Sequence, residues 1–105
     1  MEFIETPSFT RCVLALMDDD DYACLQATLA LRPDLGKVIP GGGGIRKMRW
    51  AGSGRGKRGG LRVIYYWQAN DDRIWMLLAY PKSERDDLSA EQLRQLRILV
   101  KECLI

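Results

Sequence analysis

The sequence predicts an α+β fold in the order β-α-α-β-β-β-α: a small antiparallel sheet with N-terminal helices packed on one face and a C-terminal helix. Three observations predict it. Apolar residues recur at three- and four-residue spacing in the N-terminal third and again near the C-terminus, and the period falls to two between Ile45 and Tyr80. The connections between the period-two segments are short, as in a meander. A chain of 105 residues has room for one core, so residues 1–105 are read as a single domain.

Phe3-Ile4-Glu5-Thr6 reads as a first strand stopped by Pro7. Ser8 can cap a helix carrying Phe9, Cys12, Val13 and Leu16 on one stripe and ending near Asp18. Asp19 or Asp20 can cap a second helix with Tyr22, Leu25, Leu29 and Ala30 inward, which Pro33 terminates. The acid run Asp18 to Asp21 suits the positive end of that helix dipole better than a metal, since no calcium-loop pattern surrounds it. Gly41 to Gly44 lacks the Lys-Ser or Lys-Thr of a phosphate loop and reads as a flexible connection into the sheet. Ile45 to Trp50 then alternates, with Met48 and Trp50 on the core side and Lys47 and Arg49 on the other. Leu61 to Trp67 and Arg73 to Tyr80 are two more strands, joined by the turn Ala69-Asn70-Asp71-Asp72. Ser89 and Gln92 form a capping-box signature for a last helix with Leu93, Leu96, Leu99 and Val100 as its apolar stripe. Trp50, Trp67, Trp75, Tyr65 and Tyr66 are read mostly as core.

Charge is distributed unevenly along this chain. The formal net charge is +2, yet between Asp34 and Asp71 there is no acid, and that stretch holds eight of the sixteen Lys and Arg residues. The segment before it carries −5 and the segment from Asp71 carries −1. Such a concentration of cations calls for an external polyanion, and nucleic acid rewards it by counterion release.

Other classes are excluded by composition. No histidine is present, which removes Ser-His and Cys-His nucleophile pairs, HExxH metalloprotease chemistry and imidazole acid–base catalysis. Cys12, Cys24 and Cys103 are an odd set without CxxC spacing, so neither a disulfide framework nor a zinc site is expected, and Cys12 and Cys24 read as small buried side chains. No apolar run approaches the ~18 residues of a membrane span, and Met-Glu-Phe-Ile-Glu does not resemble a secretory leader. A cytoplasmic protein without metal, cofactor or membrane contact is expected.

Strand periodicity brings Lys47 and Arg49 to one sheet face with Arg62 on the neighbouring strand, and Lys82 or Arg85 just past the next. Such a face can hold phosphate without chemistry. It can also cleave RNA through the substrate's own 2′-hydroxyl, because clustered cations stabilise charge developing on a pentacoordinate phosphate, and crowding favours a neutral lysine amine able to take a proton.

Three runs carry a family resemblance: Gly44-Ile45-Arg46-Lys47-Met48-Arg49-Trp50; Gly56-Lys57-Arg58-Gly59-Gly60-Leu61-Arg62-Val63-Ile64-Tyr65-Tyr66-Trp67; and Leu78-Ala79-Tyr80-Pro81-Lys82-Ser83-Glu84-Arg85-Asp86-Asp87-Leu88. Together they resemble the RelE/HigB superfamily of bacterial toxins, most closely its HigB-like branch. The resemblance implies a type II toxin that cuts translated mRNA in the ribosomal A site without a metal. It also implies a cognate antitoxin, expected to be of helix-turn-helix type, with the ribosome and mRNA as the other partners. Carried onto this chain, it makes Lys47 the general base beside Arg49, and makes Arg62 the group that binds the scissile phosphate. Lys82 or Arg85 becomes the group that favours the leaving 5′-oxygen, with Lys82 preferred. Arg46, Arg55, Lys57 and Arg58 are the remaining RNA-binding candidates, the last three as ribosomal RNA contacts. Where many members have a tyrosine at the start of the last helix, this chain has Asp87, Leu88 and Ser89. Tyr65 or Tyr80 can replace it only from an outward-facing position. The alternative is a non-catalytic basic module that binds RNA or an acidic partner segment.

Overall fold

A five-stranded sheet in the order β1-β5-β4-β3-β2 divides the molecule into two apolar layers. The structure, a computed structural model, describes residues 1–51, 60–85 and 87–104, with side chains through residue 102. In chain order the elements are β1 (Glu2–Glu5), α1 (Pro7–Leu16), α2 (Asp19–Leu31), β2 (Lys37–Val38), β3 (Arg46–Trp50), β4 (Leu61–Gln68), β5 (Arg73–Pro81) and α3 (Ala90–Leu104), with a 3-10 turn at Ala69–Asp71.

The α+β class and the central antiparallel meander β3-β4-β5 are as the sequence predicts. The sheet as a whole is mixed, because β1 pairs parallel with β5, from Glu2 opposite Arg73 to Glu5 opposite Met76. It also has an additional edge strand, β2, which pairs antiparallel with β3. Two residues are too few to show a period, and this strand is set by its hairpin instead. Ile39 N–H donates to the Ile45 carbonyl at 2.9 Å, and the four-glycine run makes the turn, with Gly41, Gly43 and Gly44 at positive φ.

Helix α3 does not join the other two helices. On one face Phe9, Val13 and Met17 of the first helical segment and Leu25 and Leu29 of α2 pack on Met48, Leu61, Val63, Tyr65, Ile74 and Met76. On the opposite face Leu93, Leu96 and Val100 of α3 pack on Ile45, Ile64, Leu77 and Tyr80. Strand alternation supplies both layers: β4 sends Leu61, Val63 and Tyr65 one way and Arg62, Ile64 and Tyr66 the other. All of the large strand aromatics pack on one layer or the other.

Local chemistry moves the helix starts from the expected residues. Pro7 begins α1 instead of blocking it, since the first turn has no use for its missing N–H. The cap is therefore Thr6 and not Ser8: its Oγ1 accepts from Phe9 N–H at 3.0 Å and donates to the Leu77 carbonyl at 2.8 Å, tying α1 to β5. Thr6→Ala should cost about 1.5 kcal/mol in urea unfolding and Thr6→Ser much less, as loss of a cap predicts. Asp18, not Asp19 or Asp20, caps α2 through Asp21 N–H at 2.8 Å. Asp21 is then buried, and its Oδ1 accepts from the Trp50 indole at 3.2 Å, linking α2 to the strand that carries Lys47 and Arg49. Ala30 is exposed, as is Cys24, so the expectation of a buried Cys24 fails; Cys12 is half-buried. The capping box at α3 forms as predicted, Ser89 N–H to Gln92 Oε1 at 3.0 Å and Gln92 N–H to Ser89 Oγ at 3.1 Å. No helix among the described residues is long and apolar enough to cross a membrane.

Candidate functional site

On the α3 side of the sheet, β2, β3 and β4 bring basic residues together. Register determines who meets there. Lys37 stands directly opposite Lys47, and Arg49 directly opposite Arg62. Residues directly opposite share a face, and so do residues two apart on a strand, so all four point to the same side. Together with Met48 they line an open cavity of about 570 Å³.

The four cations are held differently. Arg62 is buried, at 2% exposure, in the central strand, while Arg49 is exposed. Lys47 is half-buried, and its Nζ forms an ion pair and hydrogen bond with the carboxylate of Asp87, in the link leading to α3. Neither Lys37 nor Arg49 has an ion-pair partner among the described residues. Like charges directly opposite on adjacent strands destabilise a sheet. Two such pairs side by side concentrate positive charge on this face, which suits a bound anion.

The structure thus brings Lys47, Arg49 and Arg62 together and adds Lys37. Sequence reasoning missed Lys37 because its strand was missed. The available signal was the mirror symmetry about Gly42, with Lys37-Val38-Ile39 on one side and Ile45-Arg46-Lys47 on the other, which a tight glycine hairpin pairs residue for residue.

Of the remaining candidates that are described, Arg46, Lys82 and Arg85, none lines this cavity. Arg46 faces the opposite side of β3, and its guanidinium donates to the carbonyls of Asp34 at 3.2 Å and Gly36 at 2.7 Å, pinning the α2–β2 connection. Lys82 is exposed; its backbone N–H donates to the Gly60 carbonyl at 3.3 Å, which sets the β5 end beside the start of β4. Arg85 donates to Gln92 Oε1 at 2.6 Å and lies 5.5 Å from the centre of the Tyr80 ring, so it buttresses the α3 cap. It lines a second cleft, between α1, β5 and Gln92, and not the cationic cavity. Arg55, Lys57 and Arg58 fall outside the described residues.

Neither tyrosine offered as a substitute faces outward. Tyr65 is wholly buried in the α1–α2 layer, and burial pushes its phenol above the ordinary value. Its hydroxyl donates to the Pro33 carbonyl and accepts from Gly36 N–H, both at 2.8 Å. Tyr80, opposite Arg62 on the cationic side, is buried at 5% exposure. No group of three or more His, Cys, Asp or Glu residues among the described residues is arranged to hold a metal.

Chemically, the cavity offers an anion the exposed Arg49 and Lys37 and the half-buried Lys47, with Arg62 buried in its lining. Comparison with known families agrees with a toxin role: a family model described as the RelE toxin of the RelE / RelB toxin-antitoxin system matches residues 33–105. That span contains every residue of the cavity.

Proposed function

The chain belongs to the RelE toxin family of toxin–antitoxin systems, and from that premise we propose that it is a metal-independent endoribonuclease acting on translated message in the ribosomal A site. Toxins of this family are in general ribonucleases, and the family implies an antitoxin partner. For this chain the antitoxin is proposed to be of helix-turn-helix type. The observation that carries the reading is the paired set of like charges, Lys37 opposite Lys47 and Arg49 opposite Arg62, kept on one open face despite its cost to the sheet.

The proposed chemistry is transesterification. The 2′-oxygen attacks the adjacent phosphorus while its proton passes to the Lys47 amine. The bond from phosphorus to the 5′-oxygen breaks, leaving a 2′,3′-cyclic phosphate, and Lys82 protonates the departing 5′-oxygen. Arg62 and Arg49 bind the phosphate and offset the charge it gains in the transition state. Arg85, engaged with Gln92 and Tyr80, is better suited to holding the link in place than to delivering a proton.

Inducible expression followed by mapping of message 5′ ends tests this. Growth arrest with new 5′ ends inside translated codons is expected for the parent, and Lys47→Ala should abolish both. A parent that binds RNA but leaves message intact in a translating extract is a binding module and not a nuclease.

A further inference from the structure

Among the described residues, the Asp87 carboxylate bonds to Lys47, one of the cations that line the cavity, and the proposed reaction has no use for it there. Asp87 pairs with Lys47 across forty positions of sequence, and it comes from the link between β5 and α3 and not from the sheet. Its carboxylate bonds to one of the four cations that a phosphate would be drawn to. While it does so, the Lys47 side chain is engaged by the carboxylate and not by an RNA group.

We infer that Asp87 is an internal surrogate for substrate phosphate: it occupies Lys47 when the cavity is empty of RNA, and an incoming phosphodiester displaces it. This rests on the RNA-directed reading of the same cavity. The geometry supports exchange over permanent structure. The Asp87 side chain is 70% exposed, so its carboxylate can return to water at little cost, and exposed ion pairs are weak. Lys47, at 31% exposure on a strand anchored by Arg46 and Trp50, stays in place when its partner leaves. The start of α3 is fixed independently by the Ser89–Gln92 box, so release of Asp87 does not uncap the helix.

The carboxylate therefore competes with substrate. RNA gains a phosphate contact at Lys47 only by giving a charge back to solvent at Asp87. Removing the charge but keeping the shape, Asp87→Asn, removes the competitor. Binding should tighten by about two- to five-fold, the range an exposed ion pair spans. It should also become more salt-dependent, by about 0.7 in the slope of log K against log salt, the value for one added phosphate contact on a single strand. Asp87→Glu, which keeps the charge, should behave as the parent.

The experiment measures binding of a short 2′-O-methyl RNA, which cannot be cleaved, to the parent, Asp87→Asn and Asp87→Glu at 50 and 200 mM salt. Inorganic pyrophosphate is titrated in parallel and followed through the arginine Nε–H signals by NMR. Melting midpoints confirm that all three proteins are folded. Tighter and more salt-sensitive binding by Asp87→Asn alone supports the inference. Equal or weaker binding by Asp87→Asn, or no binding of either anion by any of the three, overturns it. Because the probe cannot be cut, the result is independent of catalysis. If message 5′ ends show no cleavage while Asp87→Asn still binds more tightly, the nuclease reading falls and the surrogate role stands.

Discussion

Arg62→Met is expected to lower the rate of message cleavage by about two to three orders of magnitude and to abolish growth arrest, the scale of loss seen when a preorganised transition-state donor is removed. The size follows from position. Arg62 sits in β4, the central strand of the sheet, with β3 and β5 paired on either side, and the residue is 2% exposed, so it is oriented by its surroundings before substrate arrives. Arg49, opposite and exposed, contributes charge with less orientation. Its removal should cost correspondingly less, about ten-fold. Methionine preserves most of the apolar stem that packs beside Tyr80 while deleting the fork. Arg62→Lys separates charge from geometry: a point charge without the bidentate fork should recover only part of the rate. Cleavage should be measured in a translating extract, with circular dichroism to show that each variant is folded. A folded Arg62→Met that cuts as fast as the parent would remove Arg62 from the reaction.

The meander and the cationic face were legible because period-two alternation is a direct consequence of strand geometry. Once Met48 and Trp50 are assigned inward, Lys47 and Arg49 must face the other way, and short connections carry the pattern to Arg62. What was illegible has physical reasons of its own. The parallel pairing of β1 with β5 joins residues some seventy positions apart, and the evidence for it lies in side chains such as Thr6, whose hydroxyl bonds Leu77. The face chosen by α3 is ambiguous in sequence because β4 is apolar on both sides, with Val63 and Tyr65 serving one layer and Ile64 and Tyr66 the other. Asp21 reads as one more helix-start carboxylate, yet it is buried against Trp50. Arg46 belongs to the same basic run as Lys47, but alternation turns it to the other face, where two backbone carbonyls take its hydrogen bonds. Charge counting identified the cavity's sign; only register could say which bases enter it.

The link into β2 packs tightly on Tyr65 at Gly36, and disturbing that contact gives the largest stability loss expected among these variants. Gly36 precedes Lys37, and a Cβ built there would lie 2.8 Å from Cε1 and 2.9 Å from Oη of Tyr65, and 3.1 Å from the Lys47 carbonyl. None of these atoms can give way cheaply. The Tyr65 ring is wholly buried, its hydroxyl is fixed between the Pro33 carbonyl and Gly36 N–H, and the Lys47 carbonyl is strand backbone. Gly36→Ala should therefore cost about 3 kcal/mol, the upper part of the range for overpacking a filled interior. The relaxation available is outward movement of the 33–36 link, which breaks the Tyr65 and Arg46 hydrogen bonds and carries Lys37 away from Lys47. Urea unfolding reads the first effect. RNA affinity in the folded variant reads the second, with a salt slope shallower by about one phosphate contact. Tyr65→Phe in the Gly36→Ala background should recover part of the stability by removing the Oη clash, while Tyr65→Phe alone should destabilise by leaving the Gly36 N–H without its acceptor. A Gly36→Ala protein as stable as the parent would mean that this link is not fixed by Tyr65, and Lys37 would then lose its claim to a place in the cavity.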